Sequence, residues 1–173
     1  MKITLLEHPT ENDWMRCKTR ALVTMGKTKV INAPDVAWKK SILLARHSPI
    51  RCLPISFYIE DLPSYISVHF VRHHVGIEKY VKSQRNDRQS DYDRTKAPQD
   101  APVNMIMDFN GESIQVFMQK RLCNKADPNT RKVAEEMRNI LLQSNPEFEE
   151  VLKKPCQLFG RCFEMSPCND TLK

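Results

Sequence analysis

The stretch HFVRHHVGIEKYVKSQRNDR, His69–Arg88, crowds three histidines, three arginines and two lysines into one run and threads Phe70, Val71, Val75 and Ile77 through them. A solvated basic face has no use for those apolar residues, so the run reads as a place where an anion docks. Upstream of it, Leu62-Pro63-Ser64 has the form of a helix start. Leu62, Tyr65, Ile66, His69, Phe70 and His73 then recur at the three- and four-residue spacing of a single helical face. Such a helix delivers Arg72 and His73 to its C-terminal end, where the helix dipole favours a cation by about 0.3–1 kcal/mol. Basic residues in a last turn are also ordinary caps. The continuation through Lys79, Lys82 and Arg85 is more than a cap requires.

Toward the N-terminus, Lys2–Leu6 alternates as a short strand. Pro9-Thr10-Glu11 starts a helix carrying Trp14, Cys17, Ala21, Leu22 and Met25, which Gly26 ends. A second helix start at Asn32-Ala33-Pro34-Asp35 leads through Val36, Ile42, Leu43 and Leu44, and Leu53–Ile59 reads as a strand. Toward the C-terminus, Lys82–Asp100 is polar and aperiodic, a length of loop that is usually functional or disordered. Val103–Phe109 is a strand. Asn110-Gly111-Glu112-Ser113 opens a helix with Ile114, Phe117, Met118 and Leu122 inward and Arg121 near its end. Asp127-Pro128 begins another helix, running to about Leu142 with Val133, Met137, Ile140 and Leu141 at core spacing, and Asn145-Pro146 starts a short one. The expectation is one domain over residues 1–154, with an irregular cysteine-containing tail, 155–173, packed on it.

A chain of 173 residues is long enough to bury a real core, roughly 70% of the surface its unfolded form exposes. No apolar run approaches the roughly 20 residues of a membrane span, and the N-terminus has neither the apolar length nor the small-residue site of a signal peptide. The protein therefore reads as cytosolic. The net charge of +6 favours nucleotides, folate-like anions or nucleic acid without choosing between them. With glycine only at positions 26, 76, 111 and 160, neither GxGxxG nor GxxxxGK[ST] can be written, which excludes a Rossmann fingerprint and a P-loop. Phosphate must be held by side chains or helix N-termini.

Arg72-His73-His74, then Ser83-Gln84-Arg85, then a later helix ending in Arg121 together resemble the flavin-dependent thymidylate synthases, the ThyX family, as a diverged, phage-like member. That family's signature is Arg-His-Arg, seven residues, then Ser-x-Arg. Here His74 fills the third position and eight residues precede Ser83. The stretches HSPIRCLPISFYIEDLPSYISVHFVRHH and FNGESIQVFMQKRLCNKADPNTR follow the family's course on either side. The likeness spans roughly Lys2–Leu142. It implies an α+β protomer with a small antiparallel or mixed sheet flanked by helices, assembled as a homotetramer whose sites draw on several subunits. It also implies reductive methylation of dUMP to dTMP, with methylenetetrahydrofolate as the one-carbon donor, reduced FAD as the hydride source, NADPH as reductant and no protein nucleophile. By the same resemblance Ser83, Gln84, Arg85 and Arg121 bind dUMP, with Arg121 stabilising charge on the uracil, while Arg72, His73, His74 and Asn110 face FAD. The chain departs from the pattern at His74, Glu112, Lys125 and Asp127-Pro128-Asn129, several of them flavin contacts in the family.

Six cysteines without an export signal point to thiols or metal ligands, since the cytosol keeps disulfides reduced. Cys156, Cys162 and Cys168 lie in the tail and Cys123 just after Arg121, a set that would suit zinc or an iron–sulfur cluster as well as plain thiol packing. Cys17 and Cys52 read as core, Trp14 and Trp38 as helix packing, His8 and His47 as turn residues. Asp87, Asp91 and Asp93 read as a solvated loop. Two other functions fit the same residues: a ThyX-like nucleotide binder without turnover, and a basic nucleic-acid-binding protein with a metal-bound tail. Low aromatic content and the lack of a groove-reading motif speak against nucleic acid.

Overall fold

In a computed structural model the described residues are 1–27, 32–85, 87–88, 93 and 95–168. Four strands, β1 (Lys2–Glu7), β2 (Pro54–Pro63), β3 (Ile77–Val81) and β4 (Pro102–Asn110), form one sheet in the order β1-β2-β4-β3. Every neighbouring pair is antiparallel. The helices are α1 (Glu11–Thr24), α2 (Val36–Ala45), α3 (Ser64–Val71), α4 (Ser113–Arg121), α5 (Pro128–Ser144) and the single turn α6 (Pro155–Phe159). Among the described residues no helix is long and apolar enough to cross a membrane.

Local chemistry sets the helix starts. Thr10, Asp35 and Asp127 each accept a backbone N–H from the first turn of α1, α2 and α5, satisfying donors that the helix itself leaves open. In β4 every second residue, Val103, Met105, Met107 and Phe109, is buried, the period-two pattern of a sheet with one covered face. Phe57 and Ile77 stand opposite Met107 and Phe109. Phe70, Ile114, Phe117, Val133, Met137 and Leu141, all buried, join this layer to α3, α4 and α5 in one core.

The structure corrects the reading in three places. The strand expected to stop at Ile59 continues to Pro63, so Leu62 belongs to β2 rather than to the helix, and it is paired with Val103. A bulge makes this possible: from Ile59 to Leu62 β2 advances three residues while β4 advances two, from Met105 to Val103. Asp61 absorbs the extra residue at φ 53°, with its N–H donated to Asn104 Oδ1 at 3.1 Å. Second, Ile77–Val81 is a strand, hidden in the sequence by its lysine and glutamate. Third, the tail expected to be irregular begins with the turn α6, closed by Gly160 in the left-handed region. Cys17 is fully buried and its thiol is pushed up to about 12, chiefly by burial and then by Cys52 beside it.

Candidate functional site

Arg72 caps α3, and the chain then turns through His73, His74, Val75 and Gly76 into β3. Gly76, at φ 68°, is required here twice over. A Cβ at that position would stand 2.9 Å from Asn110 Nδ2 and 3.2 Å from Ser113 Cβ. The turn is thus pressed against the start of α4. On that helix Phe117, fully buried, touches Phe70, Phe109 and the His73 ring, the last at 5.0 Å between centroids. This aromatic stack aligns the C-terminal ends of α3 and α4, and so brings Arg121 to His73 across 48 residues of chain.

Arg121 donates from Nε to His73 Nε2 at 2.9 Å and from Nη2 to the His69 carbonyl. A histidine that accepts on Nε2 is neutral, with its proton on Nδ1. The surroundings enforce that state: burial first, then Arg121, Lys79, His74 and Lys120, hold the imidazole down at about 4 instead of 6.5. Lys79 Nζ also donates to the His73 carbonyl. Burial, then Arg72, lowers the Arg121 guanidinium below its ordinary value.

These groups border a cleft of about 380 Å³ lined by Arg72, His73, Lys120, Arg121, Lys125 and Glu164 among others. Four cations face one carboxylate, a balance suited to an anionic ligand. Lys120 and Glu164 escaped the sequence reading. Lys120 carries a signal in its place beside Arg121 in the last turn of α4, whereas Glu164 belongs to the tail and nothing in the sequence ties it to this cleft.

Of the other expected site residues, Cys123 also lines this cleft, and Ser83, Gln84, Arg85, His74 and Asn110 are not among its lining. Ser83, Gln84 and Arg85 follow the end of β3, where Arg85 is exposed and pairs with Asp87 at 2.8 Å. His74 is exposed. Asn110 Oδ1 accepts the N–H groups of Glu112 at 3.0 Å and Ser113 at 2.9 Å, holding the turn into α4. Glu112 pairs with Arg51 at 2.5 Å. Asp93 is bound to Thr95 and Lys96, as a solvated loop residue would be, and Asp91 lies outside the described residues. Cys123, Cys156, Cys162 and Cys168 do come together, lining one cavity of about 180 Å³. Among the described residues, however, no group of three or more His, Cys, Asp or Glu side chains is arranged to hold a metal ion.

No curated protein matches the chain in sequence. The structure is similar to that of ThyX from Helicobacter pylori solved with FAD and dUMP, at a TM-score of 0.71 and 15% identity, over 88% of this chain and 100% of that one. A second structure of the H. pylori flavin-dependent thymidylate synthase ThyX, also complexed with FAD and dUMP, gives a TM-score of 0.70 and 16% identity over the same shares. At such identities the likeness establishes a shared fold. The family described as thymidylate synthase complementing protein, Thy1, matches residues 89–147, a span that contains β4, α4 and α5 and with them Asn110 and Arg121. Over that span the chain is similar to the thymidylate synthase complementing protein family, and its fold as a whole is that of the ThyX structures.

Proposed function

We propose that the protein is a flavin-dependent thymidylate synthase that methylates dUMP reductively to dTMP, with methylenetetrahydrofolate as one-carbon donor and NADPH as reductant. The observation that carries this reading is the Arg121 guanidinium fixed by His73 and the His69 carbonyl in a cleft of cations. The donor set fits anionic ligands: Arg72, Lys120, Arg121 and Lys125 outnumber the Glu164 carboxylate. When bound, reduced FAD supplies the hydride that converts the transferred methylene to a methyl.

The chain's own residues bind and orient. Arg121, aimed by its two internal hydrogen bonds, donates to the uracil edge and stabilises negative charge there. Neutral His73 keeps the guanidinium from turning and adds no charge of its own. Arg72, His73, His74 and Asn110 form the flavin side of the site. Ser83, Gln84 and Arg85 take the dUMP phosphate through a backbone turn and a guanidinium fork. Since these three stand away from the Arg121 cleft of their own protomer, the reading requires a homotetramer in which one subunit's Ser83–Arg85 segment completes another's cleft.

The test is direct. Protein supplied with FAD, NADPH, methylenetetrahydrofolate and dUMP should form dTMP, and titration with dUMP should perturb the flavin absorbance. Failure of dUMP to bind at all would end the reading.

One observation favours a second reading, a nucleotide binder without turnover. Asn110 Oδ1 is engaged in the turn into α4, and beside it Glu112 sets a carboxylate where a flavin diphosphate would prefer a donor. That reading predicts dUMP binding with no dTMP under the same conditions.

A further inference from the structure

The border of the Arg121 cleft is positive with a single exception. Arg72, Lys120, Arg121 and Lys125 are cations, and Glu164 is the one carboxylate among them. Glu164 does not come from the elements that build the cleft. It arrives on the C-terminal segment that follows α6. None of the salt bridges among the described residues ties it to the four cations, so the carboxylate is poised in the cleft rather than locked there.

The segment that carries Glu164 buries very little. From Gly160 to Cys168 every residue is exposed except Cys162 and Cys168. Phe163 and Met165, the large apolar residues on either side of Glu164, are 56% and 104% exposed. The ring contacts of the segment lie on the surface: Phe163 stands edge-on to Phe159 at 5.6 Å between centroids, and Arg161 lies over Phe163 at 4.6 Å. Contacts of this kind are weak where water reaches them. Chain with so few buried contacts opens locally while the core stays closed.

Gly160 supplies a pivot. It ends α6 at φ 67°, in the left-handed region, and a Cβ built there meets nothing within 4 Å. The backbone at this point has both conformational freedom and open space around it. Glu164 also borders the neighbouring cavity of about 180 Å³, so it stands on the divide between that cavity and the cleft. Movement of the segment away from the core therefore widens the cleft.

We propose that Gly160–Cys168 is an autoinhibitory strap: Glu164 screens the Arg121 cleft of the free chain, and an anionic ligand enters by repelling this carboxylate and turning the strap outward about Gly160. The carboxylate offsets one of four positive charges. A phosphate-bearing ligand brings a second anion into the same space, and like charges facing each other oppose its entry. Between groups that water reaches the effect is modest, which suits a device that tunes occupancy without closing the site. The strap rests on the reading of the cleft as an anion site, and it governs how readily that site fills rather than what it does.

Calorimetric titration of the full chain with dUMP at low salt should give Glu164→Gln an affinity about 2–5-fold above wild type, and the gain should shrink as salt is raised. Phe163→Ala, which keeps the carboxylate but loosens the strap, should gain as well. Glu136→Gln, the same change in net charge at an exposed position on α5, should not. Trypsin should cut after Arg161 faster when dUMP is saturating, with the rest of the chain cut no faster. Equal affinities for wild type and Glu164→Gln, or an equal gain in Glu136→Gln, would overturn the strap, and unchanged cleavage at Arg161 would overturn its movement. The same series run with inorganic pyrophosphate separates this device from the enzymatic reading. If dUMP binds no variant while pyrophosphate prefers Glu164→Gln, the thymidylate reading falls and the strap stands; no preference with either anion removes the strap.

Discussion

Arg121, at the end of α4, and Arg85, just after β3, are held in opposite ways. Arg121 is half-buried, with Phe117 beneath its histidine partner and two hydrogen bonds to its own chain. Arg85 sits in the exposed segment after β3, and its fork is closed on Asp87, two residues away, at 2.9 and 2.8 Å. The first is aimed before any ligand arrives and pays little ordering entropy on binding. The second is a surface ion pair worth about 0–1 kcal/mol, which a phosphate can displace. On the proposed reading, recognition joins a preset arm to an adaptable one, and the preset arm should carry most of the specificity.

The strongest way to break this contrast is to remove the floor. Phe117→Ala should cost about 3–5 kcal/mol of stability, read as a lowered denaturant midpoint, and it should make the Arg121 arm as loose as the Arg85 arm. An unchanged midpoint would mean that the aromatic stack does not hold the two helix ends. Arg121→Ala should weaken dUMP by about 1.5–3 kcal/mol while circular dichroism stays native. Normal dUMP titration by this variant would remove Arg121 from the site.

Acid should separate the two arms as well. The unfolded chain protonates His73 near 6.5 and the folded chain resists until about 4. The residue's contribution to stability is therefore complete above about 6.5 and is lost as pH falls toward 4, on the order of 1 kcal/mol after allowance for partial exposure. His73→Asn should flatten this part of the stability–pH curve, and an unaltered curve would contradict the neutral state of the imidazole. The smallest effect belongs to Asp87→Asn. Freeing Arg85 should change stability by no more than about 0.5 kcal/mol and tighten dUMP slightly. A large loss of stability would show that the Arg85 pair is structural.

Much of the fold is legible residue by residue. Thr10, Asp35 and Asp127 announce their helices because a cap is a local interaction, complete within a few residues of chain. Strand β4 announces itself by alternation. Strand β3 does not, because its one buried residue, Ile77, is followed by Glu78, Lys79 and Tyr80, and what makes it a strand is pairing with β4. The overrun of β2 to Pro63 is likewise owed to a partner strand and a bulge, and no spacing rule over Leu62–His73 contains either. In the site, the residue types of Arg72, His73 and Arg121 are plain from the sequence. Their hydrogen bond rests on a stack of three phenylalanines from α3, β4 and α4, and only the folded chain assembles it.

The double anchoring of Arg121 separates charge from direction. A guanidinium is planar, so fixing Nε on His73 and Nη2 on the His69 carbonyl fixes the plane, and every other N–H then points along a line chosen by the protein. A lysine at 121 would bring the same unit of charge on a swivelling stem. It would keep the cleft positive yet have no orientation to offer a ring of alternating donors and acceptors, so the feature at stake is compass bearing rather than voltage.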